Sequence, residues 1–225
     1  MSKERTHEKI IYRSLIIGDT HIPDRAQNIP VEIINSLLED KEENKPFNNI
    51  FFTGDIVKSD AVINFLQELA AKDNILYVQG NMDGFYGTKN PLKALISPPS
   101  IPNLRIGLIH GHQIRPRGDI DQLRDYAEKI NVHILISGHT HADFIVLDDN
   151  RLLLNPGSAV GAWSFIASKI PSYIIFQLSL INDHKYGAKV VLYRLKKTIK
   201  KQTIKYILII SPNKKYKVAI KERRF

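Results

Sequence analysis

Apolar residues in this chain come in short runs that break off at glycine. Five of them close on glycine beside a polar residue: SLIIGDTH (14–21), NIFFTGD (49–55), ILYVQGN (75–81), RIGLIHGH (105–112) and HILISGHTH (133–141). Continuous runs of this length suit strands buried on both faces. Helical spacing separates several of them, over Val31 to Leu38, Asp60 to Ala71 and Ile120 to Ile130; the second carries apolar Ala61, Ile63, Leu66, Leu69 and Ala70. From about Ala142 that spacing fades into β-type segments, Phe144 to Leu147, Arg151 to Leu154, Ser172 to Leu178 and Lys189 to Leu195. These predict a second, more antiparallel sheet. The expected fold class is α/β, a two-sheet β-sandwich flanked by helices.

In an α/β sheet, ligands gather beyond the carboxyl ends of the strands. Those ends carry Asp19, His21, Asp55, Asn81, His110, His139 and His141. Asp, His and Asn together offer the mixed oxygen and nitrogen donors that suit Mn²⁺, Fe²⁺, Zn²⁺, Co²⁺ or Ni²⁺, whereas an all-oxygen set would favour Mg²⁺ or Ca²⁺. Two ions are needed to use all seven. A lone histidine is usually a core or surface residue, but five of the eight here fall inside three short strand-end motifs. Chance placement explains that poorly.

Composition narrows the alternatives. The chain has 225 residues, 43% of them apolar, and no cysteine, which excludes disulfides, thiolate metal sites, iron–sulfur clusters and cysteine nucleophiles. No apolar stretch approaches the roughly 20 residues of a membrane span, and the run at Leu15 to Ile17 is too short for a secretory signal. A cytoplasmic protein without membrane insertion is expected. The formal charge of +9 is uneven: residues 182–225 carry 14 Lys and Arg against Asp183 and Glu222, so residues 1–181 sum to −3. In that basic segment Ile204 to Ile210 reads as a strand, Ser211, Pro212 and Asn213 as a turn, and Tyr216, Val218 and Ile220 alternate with Lys215, Lys217 and Lys221. The expected organisation is one domain over residues 1–195, with residues 196–225 a basic β-hairpin packed on it. Its lysines either guard a sheet edge against aggregation or form a weak polyanion-binding surface.

The ordered motifs Asp-x-His (Asp19, His21), Gly-Asp (Gly54, Asp55), Gly-Asn-x-Asp (Gly80, Asn81, Asp83), His-Gly-His (His110 to His112) and Gly-His-x-His (Gly138, His139, His141) resemble the calcineurin-like metallophosphoesterase superfamily. GDTHIPDR (18–25), GLIHGHQIRPRGD (107–119), ILISGHTH (134–141) and NPGSAVGAW (155–163) are similar to its small single-domain phosphodiesterase branch, which also includes the scaffold subunit of the retromer complex. The likeness runs from about Leu15 to about Leu195. It implies a four-layer fold and two divalent ions, Mn²⁺ first, with Ni²⁺, Co²⁺, Fe²⁺ or Zn²⁺ as alternatives. Asp19, His21, Asp55 and His141 would surround one ion; Asp55 would bridge to a second held also by Asn81, His110 and His139. Metal-acidified water would then attack a phosphodiester in line, with Asp19, His21, Asp55, Asn81 and His110 as the catalytic set. His112 and Ser158 are the expected substrate contacts, each with a structural alternative: His112 packing beside the ligands, Ser158 holding a turn. Arg25, Arg115 and Arg117 are candidate anion contacts on charge alone.

Many relatives place histidine after the motif asparagine, where this chain has Met82. A thioether donates no proton, so activity is expected to be slower and to lean on a good leaving group. The rival reading is a retromer-like protein-interaction scaffold that keeps the metal site.

Overall fold

A computed structural model describes residues 9–72, 74–87, 89–210 and 216–224. Strands β1 (Ile10–Ile17), β2 (Asn49–Phe52) and β3 (Ile75–Tyr77) run parallel, joined through helices α1 (Val31–Asn44) and α2 (Asp60–Leu69). The chain then builds a second sheet from β4 (Lys93–Ile96), β5 (Ile106–Ile109), β6 (Ile134–Ile136), β7 (Phe144–Asp148) and β8 (Arg151–Asn155), with helix α3 (Ile120–Lys129) between β5 and β6. Its spatial order is β4-β5-β6-β8-β7. Four long strands, β9 (Ser172–Asn182), β10 (Lys185–Leu195), β11 (Ile199–Ile210) and β12 (Tyr216–Arg224), return to the first sheet, which is ordered β12-β11-β10-β9-β1-β2-β3.

Three apolar interfaces hold four layers together. Ile16, Phe51, Phe176, Leu192 and Tyr206 of the first sheet meet Ile106, Leu108, Ile134, Ile136 and Leu154 of the second. On the first sheet's other face, Leu15, Ile17, Ile50 and Phe52 pack with Ile33 and Leu37 of α1 and Val62 and Leu66 of α2. Leu123 and Ala127 of α3 cover Ile109, Leu135 and Leu153. Because β1, β2, β5 and β6 are buried on both faces, their sequences are continuously apolar, as the pattern implied. Helix α1 runs six residues past the expected Leu38, through EDKEEN, because polar residues facing water carry no apolar signal.

The expectation that the strands after Ala142 form a sheet of their own is incorrect. β7 and β8 join β4, β5 and β6, while β9 pairs antiparallel with β1. The fading helical spacing marked the end of crossover helices, not a change of sheet. The expected turn at Ser211, Pro212 and Asn213, and Lys215, lie outside the described residues. β11 and β12 form the edge of the seven-stranded sheet, with Ile204, Tyr206, Leu208, Ile210 and Val218 buried between the sheets. No helix among the described residues is long and apolar enough to cross a membrane.

Tyr216 of β12 stacks on His133, which immediately precedes β6, with ring centroids 4.3 Å apart and planes 21° apart. The Arg105 amide donates to His133 Nδ1 at 3.0 Å, so that nitrogen must be unprotonated. Burial, then the charges of Arg105 and Arg151, lowers the His133 pKa to about 4. The unfolded chain takes up this proton near 6.5 and the folded chain only near 4, so acid favours unfolding across that window. His133→Asn keeps an acceptor and cannot charge. It should flatten the decline of the urea midpoint between pH 6.5 and 4; an unchanged profile would place the acid sensitivity on other groups.

Candidate metal centre

The five strand ends converge from both sheets: β1, β2 and β3 from one, β5 and β6 from the other. Beyond them one donor atom from each of Asp19, His21, Asp55 and His141, all buried, lies within 4.8 Å of the others. A second group adjoins it, centred on His110 Nε2, which is 3.1 Å from Asn81 Oδ1, 3.2 Å from His139 Nδ1 and 3.4 Å from Asp55 Oδ2. The same Asp55 oxygen is 3.4 Å from His21 Nε2. Asp55 therefore stands between the groups. All seven expected ligands are brought together here.

Backbone strain is concentrated in these loops. Asp19, His21, Asp55, His139 and His141 have φ between 46° and 66°, in the left-handed region. Asp and His tolerate that region better than most residues, yet single positions there store energy that the surroundings must offset. Interstrand hydrogen bonds continue past the strands to do so, from Asp19 N to Gly54 O (2.9 Å) and His21 N to Asp55 O (3.0 Å). Close approach also requires glycine: a Cβ on Gly80 would sit 1.9 Å from Asp55 Oδ1, and one on Gly138 2.4 Å from Asp19 Oδ2. Neither carboxylate has room to retreat.

The hydrogen bonds fix which way each ring points. His141 Nδ1 faces the Ala162 carbonyl at 2.9 Å, and His110 Nδ1 faces the Thr53 carbonyl at 2.8 Å. A carbonyl only accepts, so Nδ1 carries the proton in each and Nε2 turns a lone pair inward. There His141 Nε2 lies 3.1 Å from His21 Nε2, and His110 Nε2 lies 3.1 Å from the Asn81 amide oxygen, with an Asp55 oxygen 3.4 Å from both His21 and His110. Imidazole nitrogens and carboxylate oxygens gathered this closely out of water form a set of electron-pair donors that a divalent cation fits.

The titration behaviour has the same origin. Burial, the largest influence, pushes the Asp55 carboxyl up to about 6; His110 opposes this, and the neighbouring carboxylates Asp19 and Asp83 add to it. Burial acts on Asp19 in the same sense, but the hydrogen bond and charge of His141, with His110 and His21, overturn it and hold that carboxyl low. Desolvation takes His21 and His139 down to about 3. His141 is raised: burial opposes its charge, and the Asp19 carboxylate outweighs burial.

Other expected residues divide. His112 lies beside the second group, its ring 5.5 Å from that of His110, with a buried Nδ1 that has no partner among the described residues. Ser158 is corrected: it is fully buried, its hydroxyl donates to Asp19 O at 2.7 Å, and it accepts from Val160 N and Ala162 N. With its proton and lone pairs committed, it braces the loop and faces no substrate. Arg25 is exposed and donates to the Trp163 carbonyl at 2.9 Å. Asp83 is buried, and its carboxylate accepts from Asp55 N, Val57 N and Gly80 N at 2.7 to 2.9 Å. Sequence reasoning missed Thr53, whose hydroxyl donates to Asp19 Oδ2 at 3.2 Å while its carbonyl holds His110. Nothing distinguishes it from an ordinary strand-end threonine.

A family model for the calcineurin-like phosphoesterase superfamily domain matches residues 13–179. The chain belongs to this superfamily. Among its relatives, a probable metallophosphoesterase from Methanothermobacter thermautotrophicus is 40% identical over 143 residues, 64% of this chain and 74% of that one. A Vps29 variant from Entamoeba histolytica shares the fold with a TM-score of 0.70 and 30% identity, covering 86% of this chain and 98% of that one. Vps29 of the same organism in complex with Zn²⁺ gives 0.69 and 28%, with the same coverage. The two mixed sheets and flanking helices are the metallophosphoesterase fold, and the family together with the four buried converging donors points to divalent-metal binding.

Proposed function

We propose that the protein is a dinuclear metal-dependent phosphodiesterase, a cytoplasmic enzyme with Mn²⁺ as its preferred ion. The observation that carries this reading is the single Asp55 oxygen 3.4 Å from a histidine nitrogen of each group. A carboxylate shared in this way lets two cations sit close together. Asp19, His21 and His141 would complete one shell, and Asn81, His110 and His139 the other. Ions held there supply Lewis acidity, drawing charge from phosphoryl oxygens and lowering the pKa of water. The protein orients the ligands through Thr53, Ala162 and Asp83, and His112 offers an unpartnered ring nitrogen beside the second shell. Met82 donates only its backbone N–H, to Asp55 Oδ1 at 2.8 Å, and leaves the departing oxygen without an acid from that position.

The likeness to Vps29 supports the second reading, a retromer-like scaffold with a protein partner. A scaffold alone has no chemical need for seven competent donors, five of them held at left-handed backbone positions, which favours the enzyme. Both are separated by one experiment. Metal-stripped protein should regain turnover of a chromogenic phosphodiester when Mn²⁺, Co²⁺, Ni²⁺ or Zn²⁺ is restored, less so with Mg²⁺, and elemental analysis should approach two ions per chain. Absence of turnover with every ion, or saturation at one ion, would defeat the dinuclear enzyme.

A further inference from the structure

We propose that the exposed aromatic pair Trp163 and Phe165 is a seat for a nucleobase, so that the metal centre acts on nucleoside phosphodiesters. The substrate class rests on the phosphodiesterase reading above. Trp163 is 53% and Phe165 84% exposed, with ring centroids 5.1 Å apart and planes tilted by 60°. Neither ring contributes to the three apolar cores. Side chains alternate along this segment, Ala162 and Ser164 pointing in, Trp163 and Phe165 out. Packing therefore explains the inward residues and leaves the rings unexplained.

The backbone beneath the rings is fixed to the metal centre. The Ala162 carbonyl orients His141, the Ala162 amide is held by Ser158, and the Ser164 hydroxyl donates to the Thr140 carbonyl at 2.5 Å. Trp163 thus follows directly the residue that aims a proposed ligand. Its own carbonyl holds the Arg25 guanidinium at 2.9 Å. The backbone that aims His141 therefore also carries a cation and two exposed rings. A nucleoside phosphodiester presents the matching parts: a phosphoryl group, its negative charge, and a planar base joined through a sugar. Rigid aromatic rings lose little entropy on binding, and every base offers a π-face. Ile166 beside them is also exposed, and an acyl chain or other flexible apolar flank would be served by such aliphatic side chains; the two outward positions that flank Ser164 both carry planar rings instead.

Two substrates with one leaving group isolate the effect: thymidine 5′-(p-nitrophenyl) phosphate and methyl p-nitrophenyl phosphate, assayed on the Mn²⁺-loaded protein. Stacking on one ring is worth roughly five- to hundredfold, so kcat/KM should favour the nucleoside ester by about tenfold or more. Phe165→Ala should shrink the ratio, Phe165→Tyr should keep it, and Phe165→Leu, apolar but not planar, should not. Trp163 is the chain's only tryptophan, so its fluorescence reads the contact without turnover: adenosine 5′-monophosphate should quench it and ribose 5-phosphate should not. Quenching without hydrolysis of either ester would sink the enzyme and leave the base seat standing. Hydrolysis with a ratio near one and equal responses to the two monophosphates would overturn the seat. So would a Phe165→Leu protein as selective as the wild type, or equal losses on both esters in Phe165→Ala.

Discussion

Asp55→Asn is expected to abolish hydrolysis while making the metal-free protein more stable. The two effects have opposite signs because the carboxylate is costly to bury and needed for the ions. Changes to groups that merely orient a ligand reduce affinity or activity roughly 10- to 100-fold; loss of a bridging charge from both shells should exceed that, with kcat/KM down by at least about 10³ and bound metal below two ions per chain. Asparagine retains an oxygen for the Met82 amide, so the loop keeps that hydrogen bond. In the chelated protein, burial and the neighbouring carboxylates raise the Asp55 pKa from 3.8 to about 6. An acid whose folded pKa is raised opposes folding once ionised, and stability is lost as pH rises from the unfolded to the folded value. Asp55→Asn should therefore match the wild type near pH 4 and exceed it above pH 6 by about 1–3 kcal/mol. Urea unfolding in chelator at pH 4 and pH 8, with metal analysis at pH 8, checks both halves. A variant that still binds two ions would remove Asp55 from the bridging position; one destabilised at pH 8 would show that the carboxylate's hydrogen bonding outweighs its desolvation.

The strand ends were legible in the sequence because four of the five strands that carry them, β1, β2, β5 and β6, are buried on both faces. Continuous apolar runs then stop sharply at glycine, and Asp19, Asp55, Asn81, His110 and His139 stand at those stops. Sheet membership was not legible, since pairing is a long-range choice: nothing near Ser172–Asn182 says that β9 will lie beside β1 and not beside β8. β4 was missed because its four residues alternate between exposed and half-buried and are too few to set a pattern of their own. Within the site, residue types announced the converging donors but not their supports. Ser158 reads as a phosphate contact or a turn former until its hydroxyl is seen bound to the Asp19 carbonyl. Asp83 is one more motif acid until three amides are found converging on it.

Those three amides make Asp83→Ala the substitution with the largest expected loss of stability. Asp83 Oδ2 accepts from Gly80 N at 2.7 Å and Asp55 N at 2.9 Å, and Oδ1 accepts from Val57 N at 2.9 Å. Val57 is β-branched and sits at φ 70°, a conformation such residues rarely adopt without being held. Alanine would leave three buried N–H groups without an acceptor and would free Val57 to relax, carrying the Asp55 loop with it. Each hydrogen bond to a charged group contributes about 1.5–3 kcal/mol, but water entering the vacated space would recover part of the total. The net loss should be about 3–5 kcal/mol, a large share of the 5–15 kcal/mol typical of a folded domain. Asp83→Asn keeps one acceptor and turns an NH₂ toward the other donors, so it should fall between alanine and the wild type. The urea midpoint measures the stability, and elemental analysis of the folded protein separates support from ligation. With Asp83 acting through the backbone, the folded variant should still take up two ions at higher metal concentration. Loss of one ion at every concentration, with stability within about 1 kcal/mol of the wild type, would instead make Asp83 a ligand.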